Sequence, residues 1–245
     1  MNHARIDSPF GPMLICGDEK GLSGLYFFDQ KDCPSIPQGV PVGSDAPVSE
    51  SLQTSDAALR ALRPIRRMGE GQAQMTLFAG DSASSGAQSE GNVSQRPSNS
   101  GTKLTGTAVS PGRQYCEPQW LQEDTPVEVQ RLFTLAQAQL AEYFSGKRTG
   151  FDLPLNLLGT EFQVQVWKAL CQVPYGALAS YGELAAMAGL GPSHGRAVGT
   201  AVGRNPVSIV VPCHRIIGSN RTLTGYTGGL SRKVALLELE GFAFA

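Results

Sequence analysis

The sequence has no run of about 18 apolar residues, roughly the shortest stretch that crosses a membrane as a helix. Its first residues, MNHARIDSPFG, also lack the apolar core of a secretory signal peptide. These absences predict a cytoplasmic protein with no membrane partner. Aromatic residues are scarce, at 7% of the 245 residues, whereas glycine occurs 29 times. The length allows one or two domains, and the composition predicts that part of the chain lies outside a packed core.

Cysteines are few and irregularly spaced. The five are Cys16, Cys33, Cys116, Cys171 and Cys213. Their odd number and the absence of any CxxC pair argue against a disulfide framework and against a zinc ribbon. A cysteine that matters here is therefore expected to act as a thiol. Cys171, at the end of an apolar helix, is expected to pack in the core.

The chain carries almost no net charge, −1 at pH 7, which argues against bulk electrostatic binding to nucleic acid. The charges are unevenly placed, however. Six basic residues and a single acidic one, Glu183, stand between Tyr181 and Lys233. This stretch either faces a polyanion or forms an ordinary solvated surface, and its charge alone does not decide between the two.

Two ordered regions are separated by a segment of low complexity. Residues 3–29 alternate short apolar runs with turn signals and predict a three-stranded antiparallel meander. Residues 80–112 contain 8 Ser, 6 Gly and no aromatic residue. Such a segment buries too little apolar surface to offset its ordering entropy, so 34–116 is predicted to be a largely disordered insert. Within it, a short basic helix is expected to begin at Ser55 and to end before Pro64.

Helical spacing returns in the second half of the chain. A helix over about 126–145 is predicted from the spacing of its apolar residues, which are Val127, Leu132, Leu135, Leu140 and Phe144. Thr160 is expected to cap a second helix. Two short helices follow, one over about 181–188 and one capped by Ser193, and their arrangement matches a helix-turn-helix. Small helical domains that do not bind DNA produce the same pattern.

The most informative run is NPVSIVVPCHRII, residues 205–217. The β-branched residues 209–211 predict a buried strand that a proline ends, so Cys213 stands where a rigid element meets a turn. A thiol becomes a good nucleophile when it loses its proton, and a neighbouring imidazole and guanidinium lower its pKa. His214 and Arg215 supply both groups. The alternative is a buried structural cysteine beside a chance histidine.

Five ordered motifs are similar to those of one protein family. They are PCHR at 212–215, GTEFQ with VW within 159–167, SYGELA at 180–185, RAVG at 196–199 and GYTGGL at 225–230. Together with the meander, they resemble the O6-alkylguanine-DNA alkyltransferase (methylated-DNA-protein-cysteine methyltransferase) family. The resemblance covers about 120–245.

The resemblance implies an α+β fold with two domains. A small antiparallel-sheet, ribonuclease H-like N-terminal domain would precede a mainly helical C-terminal domain with a helix-turn-helix. The implied boundaries are 1–33 for the meander, 34–116 for the insert, 117–153 for a helix and connector that complete the N-terminal part, and 154–245 for the catalytic DNA-binding domain.

The resemblance also implies a reaction that needs no cofactor. The alkyl group on O6 of guanine would move irreversibly to Cys213, and the protein would be consumed. His214 would take the thiol proton through a water, and Glu240 would stabilise the imidazolium. Asn205 would order the turn that carries these groups.

Four further residues are assigned to the substrate by the same resemblance. Tyr226, assisted by Lys233, would donate to N3 of the base. The N–H of Thr227 would face O6, and Ile216 would also contact the substrate. Ordinary surface charge on the last helix is the alternative for Lys233 and Glu240.

The implied partner is double-stranded DNA that contains O6-alkylguanine. The base must leave the stack to react, at a cost of roughly a few kcal/mol. Arg196 would take its place, Tyr181 would crowd the target phosphate, and the helix after Ser193 would lie in the minor groove, which discriminates poorly among base pairs. The DNA-binding positions are thus Tyr181, Gly195, Arg196, Ala197, Gly199 and Arg215. A monomer is expected, on the nucleoid if the protein is bacterial and in the nucleus if it is eukaryotic.

Some members of this family hold zinc in the N-terminal domain. Here Asp18 stands near the position where one cysteine ligand is expected. Cys16 and His3 do not complete a ligand set, so no metal is predicted. Two other functions remain open: a damage-binding protein without transfer activity, and a transcriptional regulator that senses alkylation through Cys213.

One motif lies in the insert. The segment QMTLF contains Gln74, Met75, Leu77 and Phe78 and resembles the Gln-Leu-x-Leu-Phe peptide by which bacterial replication and repair proteins dock on the sliding clamp. Flexible flanks would then act as a tether. The alternative is that Leu77 and Phe78 pack on the N-terminal domain.

Overall fold

The computed structural model describes residues 1–35, 59–60, 62–66, 118–120 and 124–244. Over these ranges the protein is a mixed α/β fold, in which a small antiparallel sheet is followed by several helices and short strands. Among the same residues, no helix is both long and apolar enough to cross a membrane.

The N-terminal sheet contains the three-stranded meander that the sequence predicts. Its strands are β1 (Asn2–Ile6), β2 (Met13–Asp18) and β3 (Gly21–Phe27), each antiparallel to the next. The later strand β4 (Pro64–Arg66) lies in another sheet, and β5 (Gln119–Trp120) pairs with the second edge of β1.

Helix α1 (Val127–Phe144) packs on this sheet. Its buried residues recur at helical spacing and include Val129, Phe133, Ala136, Leu140, Tyr143 and Phe144. The predicted extent of the helix is confirmed, but part of its predicted apolar face is wrong. Val127 and Leu135 are 60% and 46% exposed because they lie off the stripe that the buried residues form.

The next two helices begin at side-chain caps. In α2 (Glu161–Leu170), Thr160 and Gln163 form a capping box, which confirms the predicted cap. In α3 (Tyr181–Met187), Ser180 and Glu183 form a second one. Cys171 directly follows α2 and is exposed, so the prediction that it packs in the core is wrong.

The start of the fourth helix differs from the prediction. Helix α4 spans Gly195–Val202, and Ser193 lies in a 3-10 turn, Pro192–His194, instead of capping the helix. Proline fixes the φ that the first position of such a turn requires. The indole N–H of Trp167 donates to the Ala201 carbonyl at 2.9 Å and ties α2 to α4.

The C-terminal elements complete the core. Strands β6 (Ala179–Ser180) and β7 (Ile216–Ile217) pair in parallel, α5 spans Leu230–Leu239, and β8 (Phe242–Phe244) is antiparallel to β4. A strand therefore begins at the proline where the short basic helix was expected to end; Ser55 lies outside the described residues. One apolar cluster runs from the sheet through α1 to α2, α3 and α4, and a smaller one lies beneath α5.

Candidate active site

The loop before Cys213 is buried and sharply turned. A strand was predicted over 209–211, and this prediction is wrong because Ile209 has a φ of +72°. That left-handed conformation is costly for a β-branched residue, so the surrounding structure must hold it. Strand β3 provides part of this restraint. The N–H of Leu25 donates to the Pro206 carbonyl at 2.8 Å, and the Leu25 carbonyl accepts from the N–H of Ser208 at 3.0 Å.

Asn205 joins the two ends of this loop to the thiol. Its side-chain nitrogen donates to the Val211 carbonyl at 2.8 Å and lies 2.9 Å from Sγ of Cys213. Its side-chain oxygen accepts from the N–H of Val207 at 3.0 Å. The amide of Asn205 is therefore fully engaged and holds a hydrogen-bond donor toward the sulfur.

Cys213 begins a 3-10 turn, Cys213–Arg215, and is 5% exposed. Burial raises the pKa of its thiol, and the Asn205 amide and the Lys233 ammonium partly oppose this effect. The thiol is therefore protonated at rest, and a base must remove its proton before it can act as a nucleophile.

His214 and Glu240 form a fully buried pair. Nε2 of His214 lies 3.0 Å from Oε1 of Glu240, and neither side chain is exposed. Burial lowers the pKa of His214, although the carboxylate acts in the opposite direction, so the imidazole is neutral at rest. An ionised carboxylate can only accept, which places the ring proton on Nε2. Nδ1 is then an acceptor, and it has no hydrogen-bond partner among the described residues.

The Glu240 carboxylate accepts hydrogen bonds from four other donor atoms. Tyr143 donates to Oε1 at 2.7 Å, and the N–H of Gly176 donates to Oε2 at 3.1 Å. Arg215 donates from Nη2 to Oε1 at 2.8 Å and from Nε at 3.1 Å. Burial raises the pKa of Glu240, but His214 and Arg215 outweigh it and hold this pKa at about 2. Glu240 is thus not an ordinary surface charge.

Arg215 is buried and does not lie on the DNA-binding surface where the sequence predicts it. The resemblance assigns it to the DNA-binding surface, yet it is only 6% exposed. Besides its contacts with Glu240, its Nη1 donates to the Val173 carbonyl at 2.6 Å. The short turn that carries the thiol is buried along its whole length, so Arg215 points inward with its neighbours.

Lys233 is also buried, which rules out the surface-charge alternative for this residue. Its Nζ donates to the carbonyls of Ile216 and, at 3.2 Å, of Thr224. Burial lowers the pKa of Lys233 to about 8, with Cys213 acting in the opposite direction. Its described hydrogen bonds go to these backbone oxygens and, at 3.5 Å, to Oγ1 of Thr224, and not to Tyr226, the expected partner.

The other substrate-binding candidates lie close to the same centre. The Tyr226 hydroxyl is buried near that of Ser208 without a hydrogen bond of standard geometry, and burial raises its pKa well above the usual value. Thr227 donates from Oγ1 to the Gly203 carbonyl at 3.0 Å. Ile216 is fully buried in β7.

Helix α4 and Tyr181 form the surface beside this centre. The Tyr181 and Thr224 hydroxyls are 2.8 Å apart. A Cβ at Gly199 would lie 3.5 Å from the Tyr181 ring, which is an ordinary van der Waals contact, so helix α4 packs beside this ring without a clash. The remaining expected DNA-binding residues of α4 are exposed or half-exposed; they are Gly195, Arg196 and Ala197.

Sequence reasoning missed two residues that bind the Glu240 carboxylate and did not single out one exposed arginine beside α4. Tyr143 and Gly176 bind the Glu240 carboxylate but lie far from it in the chain, 97 positions away in the case of Tyr143, and no local pattern marks them. Arg204 is exposed just after α4 and was visible only as one charge of the basic stretch.

Two other expectations concern residues away from this centre. Gln74, Met75, Leu77 and Phe78, the clamp-binding candidates, lie outside the described residues. Within the described ranges, His, Cys, Asp and Glu side chains form no group of three that could hold a metal ion.

Comparison with known proteins places these features in a family. The family model described as the DNA binding domain of 6-O-methylguanine DNA methyltransferase matches residues 161–242. A methylated-DNA–protein-cysteine methyltransferase of Mycobacterium bovis is 56% identical over 108 residues, which cover 44% of this chain and 65% of that protein. A methylated-DNA–protein-cysteine methyltransferase of Methanosarcina acetivorans is 51% identical over 118 residues, which cover 48% of this chain and 75% of that protein.

A solved structure shows the same fold. The crystal structure of Mycobacterium tuberculosis OGT in complex with DNA has a TM-score of 0.54 and 30% identity, and covers 97% of this chain and 91% of that one. This chain spans less than two thirds of the length of the mycobacterial sequence relative and three quarters of the Methanosarcina one. By its sequence motifs, its fold and these identities, the chain belongs to the methylated-DNA–protein-cysteine methyltransferase family.

Proposed function

We propose that this protein repairs O6-alkylguanine in DNA by transferring the alkyl group irreversibly to its own Cys213. The observation that carries the proposal is the buried array around the thiol. A hydrogen-bond donor of Asn205 lies 2.9 Å from the sulfur, and the adjacent His214 is neutral and paired with an ionised Glu240. A merely structural cysteine needs neither a base nor a charged orienting group.

The reaction is a displacement at carbon. A bond forms between Sγ of Cys213 and the alkyl carbon, and the bond between that carbon and O6 breaks. The electrons of the broken bond go to guanine, which takes up a proton and remains in the DNA as the unmodified base. The thiol proton leaves through His214, so the step exchanges one proton for one alkyl group and requires no redox partner.

His214, Glu240 and Arg215 have separate roles in removing the thiol proton. His214 can act as a base because burial keeps it neutral and leaves Nδ1 without a partner in the described chain. Glu240 stabilises the imidazolium as it forms. Arg215 keeps Glu240 ionised, so the proton stays on the imidazole and does not move to the carboxylate.

The flipped base is proposed to bind beside this array. Tyr226 would donate from its hydroxyl to N3 of the base, and the N–H of Thr227 would face O6. Lys233 would act indirectly, since its hydrogen bonds to Ile216 and Thr224 join the walls of the pocket. Its ammonium would also favour the thiolate electrostatically.

DNA binding is assigned to the exposed side of α3 and α4. We infer that the two helices act as a helix-turn-helix whose second helix enters the minor groove, where Gly195, Ala197 and Gly199 permit close approach. Arg196 would replace the flipped base in the stack, and Tyr181 would crowd the target phosphate. The exposed Arg204 adds a phosphate contact that the sequence did not single out.

The domain division implied by the sequence also stands as a proposal. The meander with α1 would form a ribonuclease H-like N-terminal part, 34–116 an insert, and 154–245 the DNA-binding catalytic part. The protein would act as a monomer, because one thiol and one base suffice for the reaction. Its substrate places it with the DNA of the cell, on a nucleoid or in a nucleus.

Mass spectrometry tests the proposed function directly. The protein is incubated with duplex DNA that carries one O6-methylguanine, and intact protein and peptides are analysed. We expect one methyl group at most per molecule, on the peptide that contains Cys213, and no adduct in Cys213→Ala. Cys171→Ala, which removes an exposed thiol, is the matched control and should react normally. DNA binding without any adduct would favour a damage-binding protein or a regulator instead.

We also infer that the insert tethers the protein to the sliding clamp through Leu77 and Phe78. The support is the QMTLF segment, which stands as an apolar island before a Ser/Gly-rich tract. In a pull-down with purified clamp, Leu77→Ala combined with Phe78→Ala should abolish binding, and Leu104→Ala in the same insert should not. No detectable binding of the unaltered protein would end this inference.

A further inference from the structure

The Glu240 carboxylate has a partner from helix α1, which packs on the N-terminal sheet. Tyr143, near the end of α1, donates its hydroxyl proton to Oε1 at 2.7 Å. The same oxygen accepts from Nε2 of His214 at 3.0 Å. Tyr143, His214 and Glu240 are all buried, so water does not compete for these bonds. The tyrosine and the histidine therefore share one carboxylate oxygen.

Other contacts hold the carboxylate in place independently of Tyr143. Arg215 donates from Nε to both oxygens at 3.1 Å and from Nη2 to Oε1 at 2.8 Å. The N–H of Gly176 fixes Oε2 at 3.1 Å. Removal of the tyrosine hydroxyl would thus leave Glu240 anchored and would change mainly the negative charge available to His214.

The charged groups around His214 make that change consequential. Arg215 and Lys233 are cations that oppose protonation of the imidazole, and Glu240 is the group that favours it. The groups that face Tyr143 are Glu240, Arg215 and Tyr175. The Tyr175 hydroxyl instead donates to the Leu239 carbonyl at 2.8 Å, so it provides a comparison for Tyr143.

We propose that Tyr143 is a positioning residue of the alkyl-transfer site: its hydroxyl shares Oε1 of Glu240 with His214 and limits how strongly the carboxylate stabilises the protonated imidazole. This inference rests on the proposed function. Tyr143 lies outside residues 161–242, the part that matches the family model. Helix α1 therefore contributes a group to the proton-transfer network and is more than a support for it.

The test is titration of the His214 ring in Tyr143→Phe. The variant keeps the aromatic ring, which packs against Phe144, Phe151 and Tyr175. The chain has three histidines, so imidazole proton signals are few in NMR spectra, and His214→Gln assigns the relevant one. Loss of one hydrogen bond to the carboxylate should raise the pKa of His214 by about 0.5 to 1 unit. Tyr175→Phe, the matched control, should leave it unchanged.

A second variant, expected to shift the pKa of His214 in the opposite direction, distinguishes the proposed effect from a folding defect. Replacement of Tyr143 by 3-fluorotyrosine keeps the hydroxyl and makes it a stronger donor, so the pKa of His214 should fall. Alkyl transfer should follow the titration. In Tyr143→Phe, the acid limb of the rate profile should move to higher pH, with a rate roughly three- to tenfold lower at pH values below the pKa of His214 and little change near pH 9. A structural role alone would lower the rate at every pH.

The outcomes separate the two proposals. An unchanged His214 titration in Tyr143→Phe, or an equal shift in Tyr175→Phe, would overturn the role of Tyr143 while unaltered protein still transferred methyl groups. An unaltered protein that transfers none would overturn the proposed function, and the titration, which requires no substrate, would still show whether Tyr143 acts on His214.

Discussion

Arginines of one basic stretch occupy opposite environments. Arg196 and Arg204 are exposed on or beside α4, whereas Arg215 is buried and donates to Glu240 and to the Val173 carbonyl. Nothing in the local sequence indicates which of these arginines is buried. Because Arg215 is buried beside Glu240, its charge keeps that carboxylate ionised and does not add to the charge of the surface.

This difference predicts opposite effects of the same substitution. Arg215→Met should lower the free energy of unfolding by about 3–5 kcal/mol, because it leaves a buried carboxylate without its cation. Arg204→Met should change it by no more than about 0.5 kcal/mol and should instead weaken DNA binding. Urea denaturation and a DNA titration measure the two effects. Normal stability with impaired DNA binding in Arg215→Met would show that the arginine faces DNA after all.

At the scale of elements, helix starts show what local sequence can and cannot specify. The side chains of Thr160 and Ser180 each accept a hydrogen bond from the backbone N–H three residues ahead. In return, the backbone N–H of each capping residue donates to the side chain at that position. Ser193, an equally suitable residue type, lies in a 3-10 turn and makes no cap. A cap depends on the backbone conformation as well as on the side chain, and proline sets that conformation here.

A pair of serine variants tests this distinction. Ser180→Ala should lower the free energy of unfolding by about 1 kcal/mol because it leaves an N–H of α3 unsatisfied. Ser193→Ala is the matched control and should have an effect within about 0.5 kcal/mol. Thermal or urea denaturation checks both values, and equal effects would contradict the assigned caps.

The same contrast explains how much could be predicted from the sequence. The meander, the extent of α1 and the Thr160 cap were predictable because spacing and short-range hydrogen bonds produce them. The turn at Ile209 was not, since its left-handed φ is maintained by contacts with β3 that are remote in the chain. The thiol, its histidine and Glu240 followed from a family resemblance, whereas Tyr143 required the fold.

For the whole molecule, buried titratable groups link stability to pH. Burial lowers the pKa of His214 and of the half-buried His3 below the usual 6.5. His214 and Arg215 hold the pKa of Glu240 at about 2 instead of 4.5. In each case the folded state binds fewer protons than the unfolded state, so stability is present above the ordinary pKa and is lost as pH falls below it.

Stability should accordingly fall in two stages on acidification. The first begins near pH 6.5 as the histidines of the unfolded chain take up protons, and the second lies between about pH 4.5 and 2, where Glu240 contributes. His214→Gln should reduce the first stage and also diminish the second, because His214 helps to lower the pKa of Glu240. His3→Gln measures the smaller share of the partly exposed histidine. Urea denaturation from pH 3 to 8 provides the curves. A first stage that survives both substitutions would contradict this account.

The left-handed turn at Ile209 also bears on when the protein acquires its reactivity. An isolated peptide around Cys213 would relax to an extended conformation, because nothing local favours that φ. The thiol would then be solvated, without the Asn205 donor, and would behave like any cysteine in water. The arrangement around the thiol forms only after this loop has paired with β3. Strand β3 lies near the start of the chain, whereas the loop lies more than two thirds of the way along the chain. If the proposed function holds, a chain emerging from the ribosome would not transfer an alkyl group in this way until its distant parts have met.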